Sequence, residues 1–296
     1  MNTSPAFSSE QIHAAAQALH RLRPAYKELL QFYEKIFLVQ EASKSRIDLK
    51  PVQITSELRA IKRREKLPLA DVSDFSFDSQ SARDLLLEIC DIIQSHNREM
   101  GDAAGAIVRG LDQEIEPLVF FNSLLKGDDA YFDKTAAALK IDKNALAFVA
   151  YNSLKPSVAL CAEQLLGYLK ELPGWEKGYC PVCGNFPGLA VLDQDGRRRL
   201  HCSFCWTTWP VKRVFCPFCE KTGGKNFHTF YSEQEKDLRV DVCDDCKKYL
   251  KTVDTRATER IIYPPMEQIA SLHLDINARQ KGYDSGMELV LPEVSE

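Results

Sequence analysis

The chain has 296 residues, 45% hydrophobic and 27% charged, with a formal net charge of −4 and ten cysteines. Its length admits two domains at about 150 residues each, and the acidic balance carries no general nucleic-acid-binding signal. Met1 to Gln11 has neither a basic start nor an apolar stretch, and no run is read as approaching the roughly 18 apolar residues of a membrane span, so the expectation is a cytoplasmic protein without membrane insertion.

The first part reads as helical. After Pro24, Tyr26, Leu29, Leu30, Tyr33, Ile36 and Phe37 recur at three- and four-residue spacing, which places them on one helical face. Lys50 to Ser79, with Pro51, Pro68 and several Ser and Asp residues, predicts a long connection. Leu85, Leu86, Ile89, Cys90 and Ile93 form a second stripe, with Ser81 and Asp84 spaced as a capping box. Shorter helices are expected over Gln113–Lys126 and Asp128–Leu154, divided at Lys126-Gly127-Asp128 and Ile141-Asp142-Lys143. A third stripe, Val158, Cys161, Leu165, Tyr168, Leu169 and Leu172, follows Pro156. Cys90 and Cys161 fall on apolar faces and read as ordinary buried thiols. Leu172-Pro173-Gly174-Trp175 closes the helical pattern.

The other eight cysteines form four Cys-x-x-Cys pairs: Cys180/Cys183, Cys202/Cys205, Cys216/Cys219 and Cys243/Cys246. Two thiolates separated by two residues turn toward one ion on a tight backbone knuckle, and two knuckles complete a tetrahedral S4 site. In a reducing compartment such pairs hold metal rather than forming structural disulfides. Four pairs predict two metal ions. Sequential pairing leaves 18 and 23 residues between knuckles, each interval long enough for one hairpin, whereas only ten separate Cys205 from Cys216. A cross-braced pairing of the first knuckle with the third is the main rival, and a nested one the weakest. Leu189–Leu192 and Arg198–His201 predict strands around a turn, and Asn226–Tyr231 and Leu238–Val242 repeat the layout around Ser232–Asp237. Gly184 supplies the positive φ that a knuckle often needs, but Trp206, Glu220 and Lys247 stand at that place in the others.

An S4 cage has no open position, which argues against hydrolysis at the metal, and it accepts iron as well as zinc. From Trp175 to Thr255 there are 13 Lys and Arg against 11 Asp and Glu, a formal +2. Two sites of four thiolates and one divalent ion shift that to about −2, so no strongly basic face is expected. His201 reads as a hairpin residue, Arg197-Arg198-Arg199 as a solvated loop, and Trp175, Trp206, Trp209, Phe204, Phe215 and Phe218 as cover for the metal cores or a docking surface. Past the last knuckle, Pro264-Pro265 precedes one helix carrying Ile269, Leu272 and Ile276 and ending near Gly282, expected to pack on the ribbons.

Cys180-Pro-Val-Cys-Gly184, the close succession of the next two knuckles, Asp241-Val-Cys-Asp-Asp-Cys-Lys-Lys-Tyr-Leu-Lys251, and Ser271-Leu-His-Leu-Asp275 with Gly282-Tyr283 together resemble the formate dehydrogenase accessory protein family. The resemblance covers most of the chain. It implies a cytoplasmic non-enzyme needed for active respiratory formate dehydrogenase, which binds that enzyme's catalytic subunit and holds iron in rubredoxin-like sites. The ligands would be the eight knuckle cysteines, with zinc the alternative metal and no catalytic residue to carry over. The expected fold is therefore an N-terminal all-α domain (1–172), two tandem rubredoxin-like or zinc-ribbon modules (173–211 and 212–262), and a C-terminal helix and tail (263–296). The rival readings are a zinc-ribbon nucleic-acid-binding or transcription-related protein and a dithiol oxidoreductase built on Cys216-Pro-Phe-Cys219.

Overall fold

A computed structural model describes residues 7–96, 98–111, 113–171, 174–231 and 235–286. In chain order it holds α1 (Ser9–Leu22), α2 (Lys27–Ser43), α3 (Ser56–Glu65), α4 (Ser79–His96), α5 (Arg98–Gly110), α6 (Pro117–Lys126), α7 (Asp129–Leu139) and α8 (Lys143–Leu165). Then come β1 (Pro187–Leu192), β2 (Arg198–Cys202), β3 (Thr208–Val211), β4 (Phe227–Tyr231), β5 (Leu238–Cys243), β6 (Lys248–Asp254), α9 (Pro264–Ala270), α10 (Leu272–Gln280) and β7 (Asp284–Ser285). The fold is thus helices followed by a small sheet, as expected.

Two compact units form, one from residues 7–30, 53–70 and 162–286, the other from 31–52 and 71–161. This division departs from a cut at 172/173, because α1 and α3 join the cysteine-rich residues. The cause is a set of contacts between residues far apart in sequence: Leu69 N and Ala70 N donate to Pro181 O and Val182 O at 2.9 Å, His273 N donates to the Tyr26 hydroxyl at 3.0 Å, and Arg23 pairs with Glu235 at 3.1 Å.

The helical unit buries the stripes read from the sequence, including Tyr33, Ile36 and Phe37 of α2 and Leu85, Leu86, Ile89 and Ile93 of α4. Phe148 of α8 stacks on Phe32 and meets Tyr33 edge-on, with centroids 6.4 and 6.1 Å away. The cap of α4 is Asp78 rather than Ser81: its Oδ1 accepts from Gln80 N and Ser81 N at 3.0 and 3.1 Å.

Helix α8 runs straight through Pro156, where the sequence suggested a fresh start. Proline has no N–H for the carbonyl four residues back. That carbonyl, Asn152 O, instead accepts from Gln40 Nε2 at 2.8 Å, so the vacancy in the ladder is filled from α2. Contrary to the sequence reading, Lys143–Leu169 is long and apolar enough, by length and composition, to cross a membrane; 83% of its apolar window is buried, as in a core helix.

Within the other unit, Lys50–Ser79 is more than a connection. Thr55 Oγ1 accepts from Leu58 N at 3.2 Å and starts α3, and Lys66, at φ 56°, ends it.

The sheet order is β3-β2-β1-β6-β5-β4, with β7 also on β6. Each half repeats knuckle, strand, strand, knuckle, strand. The third strands, β3 and β6, were not read from the sequence, and the turn at Ser232–Asp237 falls partly outside the described residues. Adjacent strands inside each half are antiparallel, but β1 pairs with β6 in parallel, Ala190 opposite Thr252 and Leu192 opposite Asp254. The ribbons therefore share one sheet, with Leu189, Val240, Val242, Tyr249 and Val253 in its core. Two helices follow instead of one. The backbone breaks at Ser271 (φ −123°, ψ 24°), which re-phases the stripe: Leu274 and Ala278 pack on the sheet while Ile276 is 58% exposed.

Candidate metal centres

Each knuckle is a tight turn closed by the backbone. Gly184 N donates to Cys180 O and Glu220 N to Cys216 O, both at 2.9 Å. Cys180 N, Cys202 N and Cys216 N donate forward to Asn185 O, Thr207 O and Lys221 O at 2.8–2.9 Å. Closing the turn this way requires left-handed backbone just after the second cysteine, and all four knuckles adopt it: φ is 78° at Gly184, 63° at Trp206, 59° at Glu220 and 55° at Lys247. Three side-chain-bearing residues thus occupy a conformation that disfavours a Cβ by about 1–2 kcal/mol each. The difference in residue type leaves the turn unchanged.

The structure brings the eight thiols together as two groups, Cys180, Cys183, Cys202 and Cys205, and Cys216, Cys219, Cys243 and Cys246, each with its sulfurs within 4.8 Å of one another. This is the sequential pairing; neither the cross-braced nor the nested arrangement forms. The sulfurs approach to 3.6 Å (Cys180–Cys205), 3.5 Å (Cys183–Cys202), 3.6 Å (Cys216–Cys246) and 3.7 Å (Cys219–Cys243). A disulfide needs about 2.05 Å, and all ten cysteines are free. A regular tetrahedron of sulfurs about 2.3 Å from a central ion has edges near 3.8 Å. Both groups fit an S4 cage and could each hold a metal ion.

Electrostatics favour a cation there. Burial pushes the thiols of Cys180 and Cys202 well above their ordinary range, because four thiolates cannot share a dry pocket uncompensated. N–H groups already aim at sulfur: Val182 N at Cys180, Phe204 N and Cys205 N at Cys202, all at 3.4 Å, and Asn185 Nδ2 at Cys183 at 3.6 Å. In the second group Cys219 and Cys246 are half-buried while Cys216 and Cys243 are buried. Cys216-Pro-Phe-Cys219 lies in a turn, not at the start of a helix, so it lacks the setting of a redox dithiol.

Cys90 and Cys161 lie apart from both groups; burial pushes Cys90 up to about 12, and Cys161 donates to Ser76 O at 3.0 Å. His201 is buried on β2 but belongs to neither group. Trp175, Trp209 and Phe215 are core; Phe204, Trp206 and Phe218 are half-buried. Arg198 corrects the solvated-loop reading, since it is 1% exposed and pairs with Asp241 at 2.9 Å. The segment Leu67–Ala70, whose backbone bonds the first knuckle across more than a hundred residues, left no local sequence signal beyond Pro68.

Residues 179–213 match the model of the FdhE central domain, and residues 214–291 that of the FdhE C-terminal domain. Protein FdhE homolog of Aquifex aeolicus (strain VF5) is 34% identical over 113 residues, covering 37% of this chain and 40% of the relative. Protein FdhE of Escherichia coli (strain K12 / DH10B) is 30% identical over 192 residues, covering 62% and 58%. The matched stretch therefore spans less than two thirds of these relatives' lengths. The crystal structure of the FdhE protein from Pseudomonas aeruginosa superposes with a TM-score of 0.64 over 98% of both chains at 20% identity, a likeness of fold.

Proposed function

We propose that the chain, whose residues 179–291 match the FdhE central and C-terminal domain models, is a member of the formate dehydrogenase accessory protein family and a non-enzymatic factor of formate dehydrogenase maturation, acting in the cytoplasm by binding that enzyme's catalytic subunit. The observation that carries this reading is that the stretch matched by the two FdhE domain models, 179–291, contains both cysteine groups whole. In this reading Cys180, Cys183, Cys202 and Cys205 hold one metal ion and Cys216, Cys219, Cys243 and Cys246 a second, iron by family and zinc as the alternative. When bound, the ions supply the cross-links that a sheet of this size needs for stability. The protein's own part is to present a folded, metal-braced surface to its client.

Affinity capture from cells making formate dehydrogenase tests the proposal. Its catalytic subunit should co-purify, and Ser in place of a knuckle pair should reduce capture. Normal formate dehydrogenase activity in a strain lacking this protein would overturn it.

A further inference from the structure

We propose that the two cysteine groups are functionally unequal: the first is a permanent structural site, and the second is an exchangeable metal site that opens through Cys219 and Cys246. This rests on the reading that both groups hold metal. In the first group all four cysteines are buried, and a second piece of chain roofs the knuckle. Leu69 N and Ala70 N bond Pro181 O and Val182 O, and Pro68 Cγ lies 3.0 Å from where a Cβ on Gly184 would stand. The Thr207 hydroxyl sits 3.2 Å from the Cys205 sulfur. What sets this group apart is that no cysteine of the four is even half-exposed.

The second group is built on the same knuckles and is also bridged, Asp284 N donating to Lys247 O at 2.8 Å and Gly178 packing closely on Pro217, but this cover leaves two of its four cysteines half-buried. Its buried members are the first cysteine of each knuckle and its half-buried members the last, so exposure falls along one edge of the tetrahedron. The residues beside that edge open outward: Lys247 is exposed, and at Gly223 and Gly224 an added Cβ would meet nothing within 4 Å. An incoming small thiol or chelating ligand can replace Cys219 or Cys246 one at a time while Cys216 and Cys243 still hold. Stepwise replacement from one edge is what reversible loading requires, and a cage sealed on every side does not permit it.

The test uses the full chain loaded with zinc, challenged with excess 4-(2-pyridylazo)resorcinol, with iodoacetamide pulses mapped by peptide mass. One equivalent of zinc should leave about 10- to 100-fold faster than the other. Cys219 and Cys246 should be alkylated in that phase, and the first group only in the slow phase. Cys219→Ser should abolish the fast equivalent and spare the slow one; if the variant does not fold, the order of alkylation in the unmodified chain still decides. Release of both ions in a single phase, or earliest alkylation at the first group, would overturn the inequality while leaving metal binding intact. A chain that takes up no zinc would overturn both readings.

Discussion

Arg198 and Asp241, one on β2 and the other on β5, form an ion pair of 2.9 Å with side chains 0% and 1% exposed. Arg198 Nη1 also donates to Phe215 O at 2.6 Å, and Asp241 accepts from Thr229 at 2.9 Å and Thr252 at 2.8 Å. Burial works against the guanidinium charge, and the Asp241 carboxylate opposes that. Asp241 also pairs with Arg239 of its own strand at 3.1 Å, so it is the first ribbon, through Arg198, that depends on the second to neutralise what it buries.

Asp241→Ala should therefore lower stability by about 3–5 kcal/mol, since it strands a buried guanidinium. Replacing both partners, Arg198→Met with Asp241→Leu, should cost less than that single change. Denaturant unfolding of the three variants checks the order; equal losses in the single and double variants would contradict it.

Gly184 and Lys247 occupy the same left-handed place in their knuckles but should answer substitution oppositely. Gly184→Ala adds a Cβ at φ 78° and against Pro68, and should destabilise by about 1–2 kcal/mol. Lys247→Gly relieves the same strain at an exposed residue and should change stability by no more than about 1 kcal/mol, toward stabilisation. Thermal melts of the zinc-loaded protein read both.

Gln40 should be coupled to Pro156. Gln40→Ala leaves Asn152 O buried without a donor, at about 1–3 kcal/mol. Pro156→Ala restores an N–H four residues on, so Gln40→Ala should cost less in that background. A double-mutant cycle gives the coupling directly.

All three tryptophans, Trp175, Trp206 and Trp209, lie in or beside the first ribbon. Stripping metal completely should shift tryptophan emission to the red, while far-ultraviolet circular dichroism keeps most of its helical signal. Exchange confined to the second group should leave the emission unchanged.

What the sequence made legible was whatever repeats locally. The stripes of α2 and α4 and the four Cys-x-x-Cys pairs obey short periods, and the pairs came together in the arrangement that their spacing favoured. Three features escaped because their causes are distant. Arg198 sits in a run of three arginines that looks solvated until Asp241 is brought across from the other half. Pro156 looks like a helix start until Gln40 is seen to fill the missing donor's place. Residues 67–70 look like a connection until they bond to the first knuckle.

The parallel joint between β1 and β6 also bears on how the chain is made. Leu192 and its partner Asp254 lie 62 residues apart, and ribosomes extend a chain by about 5–20 residues per second. The inner edge of the first ribbon is therefore synthesised roughly 3–12 seconds before its partner strand exists. For that interval Ala190 to Leu192 offer an open strand edge to any extended segment nearby, and the first four cysteines can be fastened well before the sheet that finally shelters them is closed.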